Sequence, residues 1–405
     1  MTSDAVRSAL VIVGNGPGEV AGWALPIAAE ARRWATEANR SIDVDLCLPP
    51  CQFASGREES AAAAADIFHH IVGPKATLRL GLGLSGWTPQ APAVVLHVGG
   101  EFWYSRRLAR RWGARAFAFV ERPHIARTHH AYERIFVPTR DVVDELVRRG
   151  VPADKILVTG DPRYDALLEH LAKAERSNGV RPSRNGDGSS PTVTFLAGSR
   201  DSVFSACFPF WVETAAALRA RLPDARLSVA VSPFVSPGVR TAMIARHQGT
   251  LHAERIDVEY GGLSGIMGSD LVLTIPGSNT LELALMRIPS IVVLPTNRTL
   301  PIPAEGVVEW ITRTPVIGPA LKRLYIRRSI RRLPYVALPN MRARRRIVPE
   351  LVGPVTPEQV ATESAQLLND HEARRRLVED LALIPNDTGA SRRIIAAMGS
   401  AWTAR

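Results

Sequence analysis

Three junctions between an apolar run and a helical pattern carry small polar loops that could hold an anion or move a proton. The first, Gly14 to Trp23 (GNGPGEVAGW), follows the run Ala9–Val13. Its glycines, Gly16 and Gly18 among them, let a backbone approach a ligand closely, and the helix that follows opens with unpaired N–H groups. Pro17 and Glu19 stand where a dinucleotide loop needs close phosphate approach, and Asp43 and Asp45 begin the next strand where that motif needs an acid at its end. A nicotinamide or flavin dinucleotide is therefore a poor fit, and a tight turn capped by Glu19 is the plain alternative. The second loop, Leu196 to Ser202, presents Gly198, Ser199 and Arg200, and a guanidinium there suits a phosphate through two charge-assisted hydrogen bonds. The third, Thr274 to Leu285, turns at Gly277 and caps its helix with Ser278, Asn279 or Thr280. Glu282, one turn in, could reach two ribose hydroxyls. Arg200 and this loop on two such junctions favour a nucleotide diphosphate.

Glu101 follows Gly99-Gly100 at the end of another apolar run, Val94–Val98. It is a candidate general base, or simply the cap of the next helix. His97, inside the run, reads as a core residue. Other groups carry less. Asp43-Val44-Asp45 alternates at a strand start and makes a weak metal pair. Cys47 and Cys51 lack a second ligand pair at zinc spacing. His69-His70 and His129-His130 do not have a metalloprotease spacing, so no metal site is expected.

The elements that must position these loops alternate. Apolar runs at 9–13, 43–48, 94–98, 116–120, 134–138 and 155–160 are separated by helical patterns, and the alternation restarts with 192–198, 226–231, 270–275 and 290–295. This predicts parallel sheets covered on both faces. Between the halves lies Lys173–Pro191, poor in apolar residues and rich in Gly, Ser, Asn and Arg. The expectation is an α/β protein of two doubly wound domains facing one cleft, with ligands beyond the strand C-termini. Residues 1–172 form the first domain, 173–191 a flexible linker, 192–355 the second domain, and 356–405 closing helices that pack back.

The chain has 405 residues, 46% hydrophobic and 22% charged, which excludes a disordered or fibrous protein. No apolar run approaches the roughly 18–20 residues of a membrane span, and three cysteines do not make a disulfide framework. A cytoplasmic protein is expected. Its net charge of +11 is concentrated: Leu321–Arg346 holds ten Lys/Arg and no acid, while Arg106, Arg107, Arg110, Arg111 and Arg115 surround Trp103, Tyr104 and Trp112. Cations beside aromatic and aliphatic side chains suit an anionic bilayer surface better than nucleic acid, and a solvated basic face is the plain alternative.

Taken in chain order, these residues resemble the lipid-A-disaccharide synthases, inverting glycosyltransferases of the GT-B type. Gly18-Glu19-Val20-Ala21-Gly22 is similar to the family's Gly-Glu-x-Ser-Gly-Asp loop, with Ala21 for Ser and Trp23 for Asp. Glu101-Phe102 sits where the family has Asp-Phe-Asn, Gly160-Asp161-Pro162 where it has Gly-His-Pro, and Glu121-Arg122-Pro123 where it has Trp-Ala-Trp. Leu196–Arg200 resembles Leu-Pro-Gly-Ser-Arg, and Gly277–Glu282 the Ser-Gly-Thr-x-x-Leu-Glu region. The most specific stretch is Tyr335–Leu351 (YVALPNMRARRRIVPEL), close to Tyr-Val-Ser-Leu-Pro-Asn followed by Arg and Val-Pro-Glu-Leu. Donor-side features survive better than acceptor-side ones.

The resemblance implies a UDP-sugar held by the second half, around Gly198, Ser199, Gly277, Ser278, Asn279, Thr280 and Glu282, with Gly16 and Gly18 lining the substrate on the first. Arg200 would stabilise the departing diphosphate without a metal or other cofactor, and Glu101, or else Glu19, would take the acceptor proton. Asn340 and Arg345, in the best-matched stretch, are assigned to binding. The implied partners are a lipid or lipid-linked sugar acceptor and the anionic inner face of the membrane, where the protein would sit peripherally, and a homodimer is permitted. A UDP-sugar epimerase of the same fold and a catalytically degenerate relative that binds a membrane or a partner are the alternatives.

Overall fold

The computed structural model describes residues 7–51, 56–178, 190–260, 266–297, 334–384 and 387–403. The chain divides into two compact units: Met1–Glu169 with Asn386–Arg405, and His170–Pro385.

In the first unit β1 (Arg7–Val13), β2 (Ser41–Cys47), β3 (His70–Val72), β4 (Ala93–His97), β5 (Arg115–Phe119), β6 (Arg134–Val137) and β7 (Ile156–Val158) form one sheet in the order β3-β2-β1-β4-β5-β6-β7. Every pairing is parallel. The connecting helices are α1 (Pro17–Glu19), α2 (Leu25–Glu37), α3 (Glu58–Ala64), α4 (Pro74–Leu82), α5 (Phe102–Trp112), α6 (Arg140–Arg148) and α7 (Pro162–Asn178). A π-turn, Val20–Ala24, joins α1 to α2. Pro26 offers no N–H to the Gly22 carbonyl, and the widened turn lies directly before it.

The strand pattern explains the layers. Successive β1 side chains face opposite ways, so Leu10 and Ile12 join one core with Val44, Leu46 and Phe117, while Val11 and Val13 join the other with Val95, Leu108 and Ile135. Both faces are covered, as unbroken apolar runs require.

The second unit repeats the grammar. β8 (Thr192–Leu196), β9 (Arg226–Val231), β10 (Ile256–Tyr260), β11 (Leu271–Thr274), β12 (Ser290–Pro295) and β13 (Glu350–Gly353) lie in the order β10-β9-β8-β11-β12-β13, again all parallel. Its helices are α8 (Asp201–Arg219), α9 (Pro237–Ala253), α10 (Asn279–Leu285), α11 (Leu338–Ala343), α12 (Pro357–Asn369) and α13 (His371–Ala382). Phe195, Phe204, Phe208 and Trp211 centre one core, which Val360, Ala361 and Leu368 of α12 complete.

The last helix, α14 (Ala390–Thr403), belongs to the first unit. Ile394, Ile395, Met398 and Trp402 enter the α2-side core, and Trp402 lies 5.0 Å from Trp34. The carboxylate of Asp165 accepts the N–H groups of Gly389 and Ser391 at 2.6 and 2.7 Å.

Some elements differ from the sequence reading. Residues 173–178, expected to begin a flexible linker, continue α7. Lys173, Ala174 and Glu175 are good helix formers, and their lack of apolar side chains does not stop a helix already under way. Residues 179–189, the rest of that segment, lie outside the described residues, as do 321–333 of the basic run. Three short strands were not foreseen. β3 is three residues long, and β10 is an edge strand with charged Asp257 and Glu259 in a half-exposed run.

Candidate functional site

Strand order reverses once in each sheet, between β1 and β4 and between β8 and β11. At such a point the chain leaves neighbouring strands toward opposite faces, and the loops beyond their C-termini part to leave a crevice. The loops after β1, β4, β8 and β11 are the four that the sequence singled out.

In the first unit, the β1 and β4 loops interlock through small residues. A Cβ on Gly14 would lie 2.6 Å from Val98, and one on Gly99 would lie 2.2 Å from the Glu19 carboxyl group. Gly100 has φ +82°, and a Cβ there would press on the Asn15 amide at 2.7 Å. Glu19 turns back on its own loop: Oε2 accepts the N–H groups of Asn15 (3.0 Å) and Gly16 (2.8 Å). This is the turn-capping role, and it ties that carboxylate to the loop's geometry. Gly16 is buried at the start of α1, whereas Gly18 is exposed.

Glu101 stands one residue before α5, exposed, and its side chain makes no bond to the helix's first N–H groups. The simple capping reading does not describe it. Beneath it lies a buried polar cluster. His97 Nδ1 is 3.1 Å from Ser105 Oγ, Ser105 Oγ is 2.7 Å from Tyr132 Oη, and Ser105 donates to the Phe102 carbonyl at 3.2 Å. Burial pushes the His97 imidazole down to about 3 and the Tyr132 phenol up to about 12, so both stay neutral at physiological pH. The cluster fixes the start of α5, and with it the backbone at Glu101.

A second group in this unit escaped the sequence reading as a unit. Trp23 Nε1 donates to Asp161 Oδ1 at 3.0 Å. Arg163 donates to both Asp161 oxygens through Nε (3.1 Å each) and to Oδ2 through Nη2 (2.7 Å), and also bonds Glu121. Its guanidinium lies 5.1 Å from the Trp23 ring. Gly22 leaves the room, since a Cβ there would sit 2.4 Å from Arg163 Cγ. The signal was present as separate departures from a motif, at Trp23, Glu121 and Asp161.

In the second unit, Gly198 has φ +94°, and a Cβ would meet Val203 at 2.5 Å. The turn therefore needs glycine. Trp211 Nε1 anchors it by donating to the Leu196 carbonyl at 3.1 Å. Ser199 and Arg200 follow, half-buried, with Arg200 at the cap of the nineteen-residue α8. After β11, Asn279 Nδ2 donates to Thr274 Oγ1 at 2.6 Å, and Thr280 Oγ1 donates to the Gly277 carbonyl at 2.7 Å. Gly277 is exposed, while Ser278, Asn279 and Glu282 are half-buried. Thr280 is fully buried and also accepts the Leu338 N–H at 3.2 Å.

Asn340 does not fit the ligand role expected of it. It is fully buried, and both ends of its amide are committed. Oδ1 accepts from Ile347 N (2.6 Å) and Val348 N (2.8 Å), while Nδ2 donates to the Val348 carbonyl and to Glu350 Oε1, each at 2.8 Å. Glu350 also accepts the N–H groups of Val336 and Ala337. Asn340 and Glu350 thus clasp residues 336–350 into one loop. Arg345, exposed, pairs with Asp380 at 2.7 Å. The motif's specificity reflects internal hydrogen bonding, which spacing alone does not distinguish from binding.

Two parallel sheets, each wound about one reversal, define an α/β protein of the GT-B type. The fold is shared with the UDP-N-acetylglucosamine 2-epimerase of Neisseria meningitidis bound to UDP-GlcNAc (TM-score 0.56, 15% identity, 97% of this chain and 100% of that one). The Methanocaldococcus jannaschii UDP-GlcNAc 2-epimerase in complex with UDP-GlcNAc and UDP also shares it (TM-score 0.52, 15% identity, 97% and 99%). In sequence, the chain is similar to lipid-A-disaccharide synthases over about half its length. It is 31% identical to that of Anaeromyxobacter dehalogenans strain 2CP-1 over 192 residues, 47% of this chain and 43% of the relative. It is 25% identical to that of Myxococcus xanthus over 231 residues, 56% and 53%. The chain thus spans about half the length of the curated relatives it matches. No family model matches it.

The clasp gives a direct test. Asn340→Ala strands buried N–H groups, each costing about 1–3 kcal/mol, and is expected to lower the unfolding temperature markedly. Arg345→Ala removes only an exposed pair and should change stability by less than about 1 kcal/mol. Thermal denaturation of both variants checks the contrast.

Proposed function

We propose that the protein is an inverting glycosyltransferase that moves a glucosamine-type sugar from a UDP-sugar to an amphiphilic sugar acceptor, as a relative of the lipid-A-disaccharide synthases. The observation that carries this reading is that the four loops nominated for chemistry all lie at the two reversals of strand order. The donor belongs with the second unit. Gly198, Ser199 and the first N–H groups of α8 face the diphosphate, Arg200 neutralises charge on the leaving UDP, and Gly277–Glu282 take the nucleoside. A preorganised donor of this sort contributes roughly 2.7–4 kcal/mol at the transition state, and no metal or other cofactor is invoked.

The acceptor hydroxyl attacks the anomeric carbon opposite the departing UDP. A new C–O bond forms, the bond to the diphosphate oxygen breaks, and Glu101 takes the hydroxyl proton. Glu101 is preferred to Glu19 because Glu19 is already bonded within its own turn. The epimerases named above share the fold at low identity and lend no weight to an epimerase activity.

The acceptor's amphiphilic character is supported by the surface of α4 and α5. Leu78, Leu82, Leu84 and Trp103 are exposed there, and a Cβ on Gly81 would lie 2.7 Å from the Trp103 ring, so the two helices share this face. Lys75, Arg79, Arg106, Arg107, Arg110 and Arg111 surround it, and neither helix holds an acid. Among the described residues no helix is long and apolar enough to cross a membrane. We assign this face to the anionic surface of the cytoplasmic leaflet.

The chemistry is tested by UDP release in detergent with UDP-N-acetylglucosamine or UDP-2,3-diacylglucosamine, with and without acylated glucosamine acceptors. Acceptor-dependent release is expected, reduced about 10²–10⁴-fold in Glu101→Gln and strongly in Arg200→Ala. Consumption of UDP-sugar without acceptor would establish an epimerase, and absence of UDP binding a degenerate relative. The membrane assignment predicts salt-sensitive binding to vesicles containing phosphatidylglycerol. At about 1 kcal/mol per cation, the double variant Arg106→Glu/Arg110→Glu should weaken it at least tenfold. Binding indifferent to anionic lipid, salt and variant would contradict it.

A further inference from the structure

Glu101 is exposed, yet the backbone on both sides of it is fixed. Before it, the N–H groups of Val98 and Gly99 donate to the Val13 carbonyl at 2.8 and 3.2 Å. Gly100, at φ +82°, packs beside the Asn15 amide with no room for a Cβ. After it, three buried side chains from separate stretches of chain converge on Phe102: His97 at the end of β4, Ser105 in the first turn of α5 and Tyr132 in the loop before β6. They are 2%, 0% and 1% exposed. The centre of the Phe102 ring lies 4.3 Å from that of His97 and 6.1 Å from that of Tyr132. Its carbonyl oxygen lies 3.2 Å from Ser105 Oγ and 3.4 Å from Tyr132 Oη. The residue that follows the candidate base is thus held by both ring and backbone.

The protons of this cluster can be counted. A hydroxyl gives one proton and offers two lone pairs. Ser105 and Tyr132 together hold two protons; one bridges their 2.7 Å contact and the other goes to the Phe102 carbonyl. Neither is left for His97, whose Nδ1 lies 3.1 Å from Ser105 Oγ. Nδ1 must therefore carry a proton and donate to Ser105. Burial pushes the imidazole down to about 3, so the ring is uncharged and Nε2 carries no proton. Ser105 is the hub. Removing its hydroxyl takes away the acceptor of the His97 proton and leaves Tyr132 only the carbonyl at 3.4 Å.

We infer that His97, Ser105 and Tyr132 are positioning residues for Glu101, joined through the Ser105 hydroxyl with His97 in its Nδ1–H form. They act through Phe102, fixing the turn from which the Glu101 carboxylate reaches the acceptor hydroxyl. A general base on an exposed turn works only where its backbone does not drift, since a misplacement of about 1 Å costs on the order of 10²-fold in rate. The inference rests on the assignment of Glu101 as the base and adds the group that makes an exposed carboxylate effective.

The test uses the full chain with Tyr132→Phe, which removes one oxygen and keeps the buried ring, and with Ser105→Ala. In the UDP-release assay, Tyr132→Phe is expected to lower kcat about tenfold and Ser105→Ala further, each with the KM for the UDP-sugar within about twofold of the parent. The double variant should match Ser105→Ala, because Tyr132 acts through the hub. A second readout needs no turnover. Long-range nitrogen–proton correlation NMR, with His97 assigned by its loss in His97→Gln, should show Nδ1 protonated and Nε2 bare from about pH 5 to about pH 9. Ser105→Ala should abolish that form. Parent-level kcat in both single variants, equal losses in kcat and UDP-sugar affinity, additive effects in the double variant, or a His97 proton on Nε2 would overturn the inference while Glu101→Gln still suppresses turnover. Turnover that survives Glu101→Gln at the parent level, or none in the parent, sinks the assignment of the base and this inference with it.

Discussion

Each unit depends on a single reversal of strand order in a parallel sheet. Because right-handed crossovers carry the chain to opposite faces on either side of that reversal, two adjacent loops are left with no helix between them. They must either fill the crevice themselves or leave it for a ligand. In the first unit they fill much of it: Gly14 lies against Val98, the Glu19 carboxyl group against Gly99, and Asn15 against Gly100. These contacts tolerate no Cβ, which is why the loop is built from glycine. In the second unit the positive φ of Gly198 turns the chain out of β8 and brings Ser199 and Arg200 to the head of α8.

Much of this was legible in the sequence, because unbroken apolar runs separated by helical patterns admit few architectures. The strands of both sheet centres, and the loops following them, fall where periodicity and glycine spacing put them. Edge strands were harder to see. β10 alternates partly exposed charge with aliphatic residues, and β3 is too short to leave a pattern. Which core each closing helix completes is hidden for a different reason. Residues 356–384 and α14 look alike in sequence, but α12 completes a core around Phe195 and Trp211, while α14 completes one around Ile12 and Trp34. A helix's partner is a matter of tertiary packing and is not written in its amphipathic stripe.

The candidate site shows the same limit at the scale of hydrogen bonds. Asn340 and Glu101 are equally polar residues in matched motifs, yet one spends its whole amide holding a loop closed and the other stands exposed at the end of a strand. Glu19 is intermediate, a carboxylate bonded within its own turn beside the crevice. Conversely, Trp23, Glu121 and Asp161 each looked like an isolated loss, and only the fold joins them through Arg163. Carboxylates gathered on one buried guanidinium are what the cost of an unpaired ion demands.

The central claim is that the donor nucleotide occupies the reversal between β8 and β11. Hydrogen–deuterium exchange of the full chain with and without UDP tests it most directly. Slowed exchange at the amides of residues 197–203 and 277–282, lost in Arg200→Ala, is the predicted result. Protection confined to the loops after β1 and β4, or no protection at saturating UDP, would contradict the account.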